Sequence, residues 1–194
     1  MRRGIVDRIG LTWRAPRAAM AAERAAGLDE RRALMDLVLA CLLLFVASMP
    51  NALREARGLA VDDPVSAAVS AHLFGYVALL PLAAYGLAAV THLAARAFGG
   101  HGSFLAARSA LFLSGLAAAP VALAVAAVGV AAEAQPGLSP AVAVLRFAAL
   151  GFGLWLFAGT LAEAEGFATG RVAAVLAAGC FGGLLALAAA AGVV

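Results

Sequence analysis

Eleven acids, three histidines and two cysteines are the side chains of this 194-residue chain that could move a proton or hold a metal, and few stand where chemistry needs them. Asp36 sits just inside an apolar run that opens at Ala33. A carboxylate at full bilayer depth costs about 2.5 to 3.5 kcal/mol on insertion scales, and less one turn from the interface. Arg32, four residues back, is expected to pair with it, with a proton relay as the alternative. Glu163 and Glu165 point in different directions on a helix and form no carboxylate pair by spacing. Each is expected to bridge Arg96, Arg108 or Arg171, with a partner-binding surface or ion coupling as alternatives.

His72, His92 and His101 are too scattered to ligate one metal. His92 and Arg96 share a helix face, where a helix-terminus or lipid-headgroup contact is expected. Cys41 and Cys180 lie in apolar runs, where a thiol behaves as a small hydrophobe, and neither has a histidine or second cysteine at ligand spacing. Gly102-Ser103 lacks the following x-Gly of a nucleophile elbow, Gly100-x-Gly102 lacks the strand and third glycine of a dinucleotide site, and no H-E-x-x-H occurs. The chain is expected to be no enzyme and to use no cofactor, metal or nucleic acid.

The segment that must position these residues is Phe98-Gly99-Gly100-His101-Gly102-Ser103-Phe104, a polar, glycine-broken loop between two long apolar runs. Its glycines permit positive φ and a sharp reversal. Gly99, Gly100, His101, Gly102, Ser103 and Phe104 are therefore the candidate contact loop; its amides could also cradle an anion. The stretch RAFGGHGSFLAARSALFLSGLAAAP, Arg96 to Pro120, resembles the bacterial members of the Yip family of polytopic membrane proteins. So do TWRAPRAAM, Thr12 to Met20, and LWLFAGTLAEAEGFATGRVAA, Leu154 to Ala174. The resemblance covers nearly the whole chain and implies a helical membrane domain. Eukaryotic relatives bind lipidated small GTPases; the lysine-free, compact form of this chain looks bacterial, so that role is not carried over.

Composition points the same way: 64% hydrophobic and 13% charged residues stand far from a soluble domain. The expected fold is all-α, a bundle of five transmembrane helices over about 33–50, 66–96, 109–132, 141–161 and 171–193, following a basic amphipathic arm at 1–32. The second run exceeds one span, so tilt or a kink at Pro81 is expected. Arg146, a turn or so into the fourth span, is expected to snorkel outward, and Trp155, mid-span, to pack inside. Gly179-x-x-x-Gly183 is a weak sign of self-association.

The arm holds eight of the fourteen arginines. It is too long for a signal-peptide n-region, so the first helix is expected to be retained. At 100° per residue Ile5, Val6, Ile9 and Trp13 fall on one arc, opposite Arg3, Asp7, Arg8 and Arg14. That is the pattern of a helix in the headgroup plane, or of one packed on the protein's own face. Ile5, Ile9 and Trp13 are the candidate interfacial anchor. Pro16 suits the first turn of a second helix that breaks near Gly27.

Counting arginines by alternate loops gives eleven against two. This orients the amino terminus inward and the carboxyl terminus outward, in a bacterial inner membrane. The expected role is a membrane scaffold or adaptor whose partners are the bilayer and a protein on the cytoplasmic side. A small solute transporter and a lipid-handling or curvature protein are the alternatives.

Overall fold

The computed structural model describes residues 4–133, 135, 138–168 and 170–190, and among them helices are the only regular structure. Two short helices lead, α1 (Ile5–Arg14) and α2 (Pro16–Ala25). Pro16 stands in the first turn of α2, where its missing N–H costs nothing, and Gly27 takes a left-handed φ of 83° beyond its end.

Asp29 then opens α3 (Glu30–Ala56), its carboxylate accepting from Arg31 N–H at 3.1 Å. The expected end at Pro50 is corrected, since the helix continues through the proline. Ala52 and Ala56 are buried there with Ala68 of the next helix, and this packing sustains the extra turns. Asp63 and Pro64 start α4 (Pro64–Phe74), which passes through a π-helical turn, Gly75–Leu79, into α5 (Leu80–Ala97). The irregularity thus lies just ahead of Pro81, the expected kink. Proline lacks an N–H and crowds the carbonyl four residues back, and a wider turn relieves both. Leu80 N–H accordingly bonds Gly75 O, five residues back.

Ser103 caps α6 (Phe104–Ala132) by accepting from Ala106 N–H at 3.2 Å, so this helix begins five residues before the expected span at 109. Next, α7 (Ser139–Glu165) overruns its expected end at 161 by four residues and stops at Gly166, in the left-handed region at φ 76°. Phe167 N–H closes that end on Ala162 O at 2.8 Å, a glycine-terminated cap. Finally α8 (Gly170–Ala190) follows; residues 191–193 of the expected fifth span lie outside the described residues.

Four helical segments are long and apolar enough to cross a membrane, Glu30–Ala56, Pro64–Ala97, Phe104–Ala132 and Pro140–Glu165, and α8 is a fifth apolar helix. The centre of the bundle is α6, whose Leu111 and Phe112 join Leu37, Phe157, Leu161 and Leu176 in one apolar core. Outward lie Leu82, Leu93, Phe147 and Leu150, each more than 60% exposed, as lipid-facing side chains are. Trp155 is 48% exposed on the outside of α7 and not packed within. Its ring stacks at a tilt on Phe152, 5.7 Å away.

Candidate functional site

The polar side chains gather at the end of the bundle where the glycine loop, the α7–α8 turn and α2 meet. Glu165, the last residue of α7, is fully buried. Its Oε1 lies 2.7 Å from His92 Nδ1 on α5, and its Oε2 accepts from Gly102 N–H at 3.1 Å. His101 N–H donates to the Glu165 carbonyl at 2.9 Å. The anion cradled by the loop is therefore the protein's own carboxylate, placed just ahead of the α6 amino terminus, where the helix dipole favours negative charge. The expected bridges from Glu165 and Glu163 to Arg96, Arg108 or Arg171 are corrected. Glu165 takes His92, and Glu163 faces Arg24 at 3.6 Å. The headgroup contact expected of His92 is likewise replaced by this inward bond.

The glycines are present for room. A Cβ on Gly102 would come within 2.3 Å of Ala164 O and 2.9 Å of Glu165 Oε2, and one on Gly100 within 2.8 Å of the same carboxylate. Gly99 alone in the loop has positive φ, 85°. With Ser103 used as a helix cap, the loop turns outward Phe98 (65% exposed), His101 and part of Phe104 (39%). Arg96 is exposed beside them on α5.

Behind the loop, Arg108 of α6 donates to Glu30 Oε1 at 2.7 Å, which also accepts from Tyr85 OH at 3.2 Å. The guanidinium lies 4.6 Å from the Phe104 ring centroid, a cation–π contact. Phe104 also leans on His92, 5.7 Å between centroids. One connected group thus joins the starts of α3 and α6 to the ends of α5 and α7.

A second group clasps the leading helices to the bundle. Arg8 is buried and grips Asp36 with both terminal nitrogens, Nη1 to Oδ1 at 2.8 Å, while its Nε donates to Glu23 Oε1 at 2.8 Å. Arg32 pairs with Glu23 at 3.2 Å. The expected Arg32–Asp36 pair is therefore corrected: a bidentate partner from α1 takes the carboxylate. Arg17 donates to Phe167 O and Ala168 O, and Arg24 to Glu163 O. Pro16 rests on Gly159, where an added Cβ would meet it at 2.5 Å. Met20 is fully buried among Ala106, Ala110 and Ala164.

Trp13 of the expected anchor donates from Nε1 to Ala117 O at 2.6 Å and stands edge-on to Phe152, 6.2 Å between centroids. Ile5 and Val6 are 43% and 81% exposed, and Ile9 is half-buried. At the other end His72 bridges Ser48 and Glu55, each at 3.0 Å, and Arg54 pairs with Glu133 at 2.8 Å. Arg146 is exposed on α7, with one terminal nitrogen beside Gly129 of α6.

Sequence reasoning missed Arg8, Glu23, Glu30 and Tyr85 as members of these groups, because no spacing links them. Among the described residues, no three His, Cys, Asp or Glu side chains group as metal ligands. Two cavities beside Arg8 and Glu23 each hold about 10 Å³, room for about one water.

The family model for the Yip1 domain matches residues 11–191. No curated protein and no solved structure matches the chain.

Proposed function

The chain belongs to the Yip family of integral membrane proteins, and from that premise we propose that it acts as a non-enzymatic membrane scaffold or adaptor with the glycine loop as its contact surface. The observation that carries this reading is the anchored loop. Buried Glu165, itself bonded to His92, holds its backbone from beneath at Gly102 and His101, while Phe98, His101 and Phe104 reach outward. A rigid loop presenting aromatic side chains loses little conformational entropy on meeting a partner, which favours binding. In this reading the loop end is cytoplasmic and the membrane a bacterial inner membrane; the excess of arginine at this end supports the cytoplasmic side.

Transport has less support. Of its candidate path residues Asp36, Arg146 and Glu163, Asp36 and Glu163 are engaged by Arg8 and Arg24, Arg146 is exposed, and the two cavities beside Arg8 and Glu23 hold only about 10 Å³ each.

The test is in-cell photo-crosslinking from Phe98 replaced by a photoreactive phenylalanine analogue, with Leu82, on the lipid-facing side of α5, as the comparison site. A protein adduct specific to position 98 is the expected result and names the partner. Lipid adducts alike at both sites would overturn the adaptor reading.

A further inference from the structure

The helix that ends in the glycine loop stands higher than its neighbours. His92 Nδ1 lies 2.7 Å from Glu165, the last residue of α7, and the His92 ring packs on Phe104, the first residue of α6. His92 is therefore level with those two helix ends, yet α5 continues to Ala97, five residues and about 7.5 Å further. A centred α6 of 29 residues passes each edge of a hydrocarbon layer about 30 Å thick by about 7 Å, which is about the depth of the headgroup region. The end of α5 thus clears the headgroups and reaches water.

What projects there is held on a fixed backbone. Gly99 takes its positive φ and Gly100 N–H bonds Ala95 O at 2.8 Å, which closes α5 with a glycine-terminated cap. The chain then turns back down to Gly102, whose N–H rests on Glu165. Phe98 is the apex, 65% exposed. An aromatic ring above the headgroups gains no shelter from acyl chains, so a protein surface is what can bury it.

The free charges around the apex are of one sign. The carboxylates nearest the loop are engaged within the protein: Glu165 by His92 and Gly102, Glu163 by Arg24, and Glu30 by Arg108 and Tyr85. Asp29 caps α3 at the Arg31 N–H. Arg96, two residues before Phe98, and Arg171, at the start of α8, are exposed and have no ion pair among the described residues. Here α5 packs on α8, and Ala95 and Ala173, one and two residues from these arginines, share one buried apolar cluster. Aromatic and arginine side chains are the types enriched at protein interfaces, and unpaired cations beside an aromatic ring steer an acidic partner and reject a basic one.

We infer that the loop surface takes an acidic segment of a protein, with an apolar side chain of that segment on Phe98 and its carboxylates on Arg96 and Arg171. The inference rests on the loop being the contact surface and adds the chemistry of what it contacts. Arg96 and Arg171 select the partner, whereas the buried Glu165 and His92 set the shape of the loop.

The test keeps the photoreactive phenylalanine analogue at position 98 of the full chain, in cells, and varies the charge. Arg96→Glu with Arg171→Glu should reduce the protein adduct severalfold. Arg96→Lys with Arg171→Lys should keep most of it, and Arg57→Glu, at the opposite end of the bundle, should leave it unchanged. Peptide mapping should place the cross-link in a segment with more than one Asp or Glu. The membrane content of each variant is measured by immunoblot; should charge reversal lower it, Arg96→Gln with Arg171→Gln takes its place, with a smaller loss expected. A protein adduct undiminished by these changes, or mapped to a segment without acids, overturns the inference and leaves the adaptor reading standing. Lipid adducts at position 98 that vanish on charge reversal assign the arginines to anionic headgroups and overturn it as well. Absence of a protein adduct even with both arginines in place removes the adaptor reading, and the inference with it.

Discussion

Glu165 Oε1 stands 2.7 Å from His92 Nδ1 with the acid fully buried, so one carboxylate ties the end of α5 to the end of α7 while its other oxygen takes the Gly102 N–H. Two helices and a loop depend on this residue. Glu165→Ala should lower stability by about 1.5 to 3 kcal/mol, the scale of a buried hydrogen bond to a charged group. The measurement is thermal unfolding in detergent, joined to amide hydrogen exchange, which should speed up at Gly99 to Ser103. Unchanged exchange there would detach the loop from Glu165.

The loop glycines should rank by space. Gly102→Ala drives a methyl against Ala164 O and must move the loop or the end of α7, while Gly99→Ala is strained through its φ of 85°. Each should cost about 1 kcal/mol or more, the former more than the latter. Gly86→Ala meets nothing within 4 Å on α5 and should be neutral or stabilising by up to about 1 kcal/mol. Melting temperatures of the three variants check the order.

The Arg8–Asp36 pair should behave as a buried ion pair. Removing Arg8 leaves Asp36 stranded, so Arg8→Met alone should cost about 3 to 5 kcal/mol, and Asp36→Leu alone less, because Arg8 keeps its bond to Glu23. The double variant should recover most of that loss, and a double-mutant cycle measures the coupling. Additive losses would mean that the two charges act separately.

Docking of α2 should depend on Gly159 more than on the ion pair beside it. Gly159→Val pushes Pro16 away and should expose Arg17 and Arg24 to trypsin. Glu163→Gln weakens a part-exposed contact of 3.6 Å and should change stability by less than about 1 kcal/mol. Rates of tryptic cleavage in vesicles separate the two.

Much of the architecture was legible because apolar length and turn chemistry are local. The long hydrophobic runs marked the spans, and Pro16 and Gly27 framed α2. Boundaries slipped where packing extended a helix, as at Ala52 and Ala56 beyond Pro50, or where a glycine further on provided the stop, as Gly166 does for α7.

By itself, the sequence determined that this protein is helical and membrane-embedded, that it has a reversible-handed glycine loop between two runs, and that most of its positive charge lies at one end. Those properties follow from composition and from backbone preferences of single residues. Which charges meet was decided only by the tertiary structure: Arg8 and not Arg32 reaches Asp36, and His92 and not an arginine reaches Glu165. Partner choice among buried charges depends on which helices touch. That contact is set by small residues such as Gly159 and Ala106, whose lack of bulk lets distant segments approach and leaves no periodic trace along the chain.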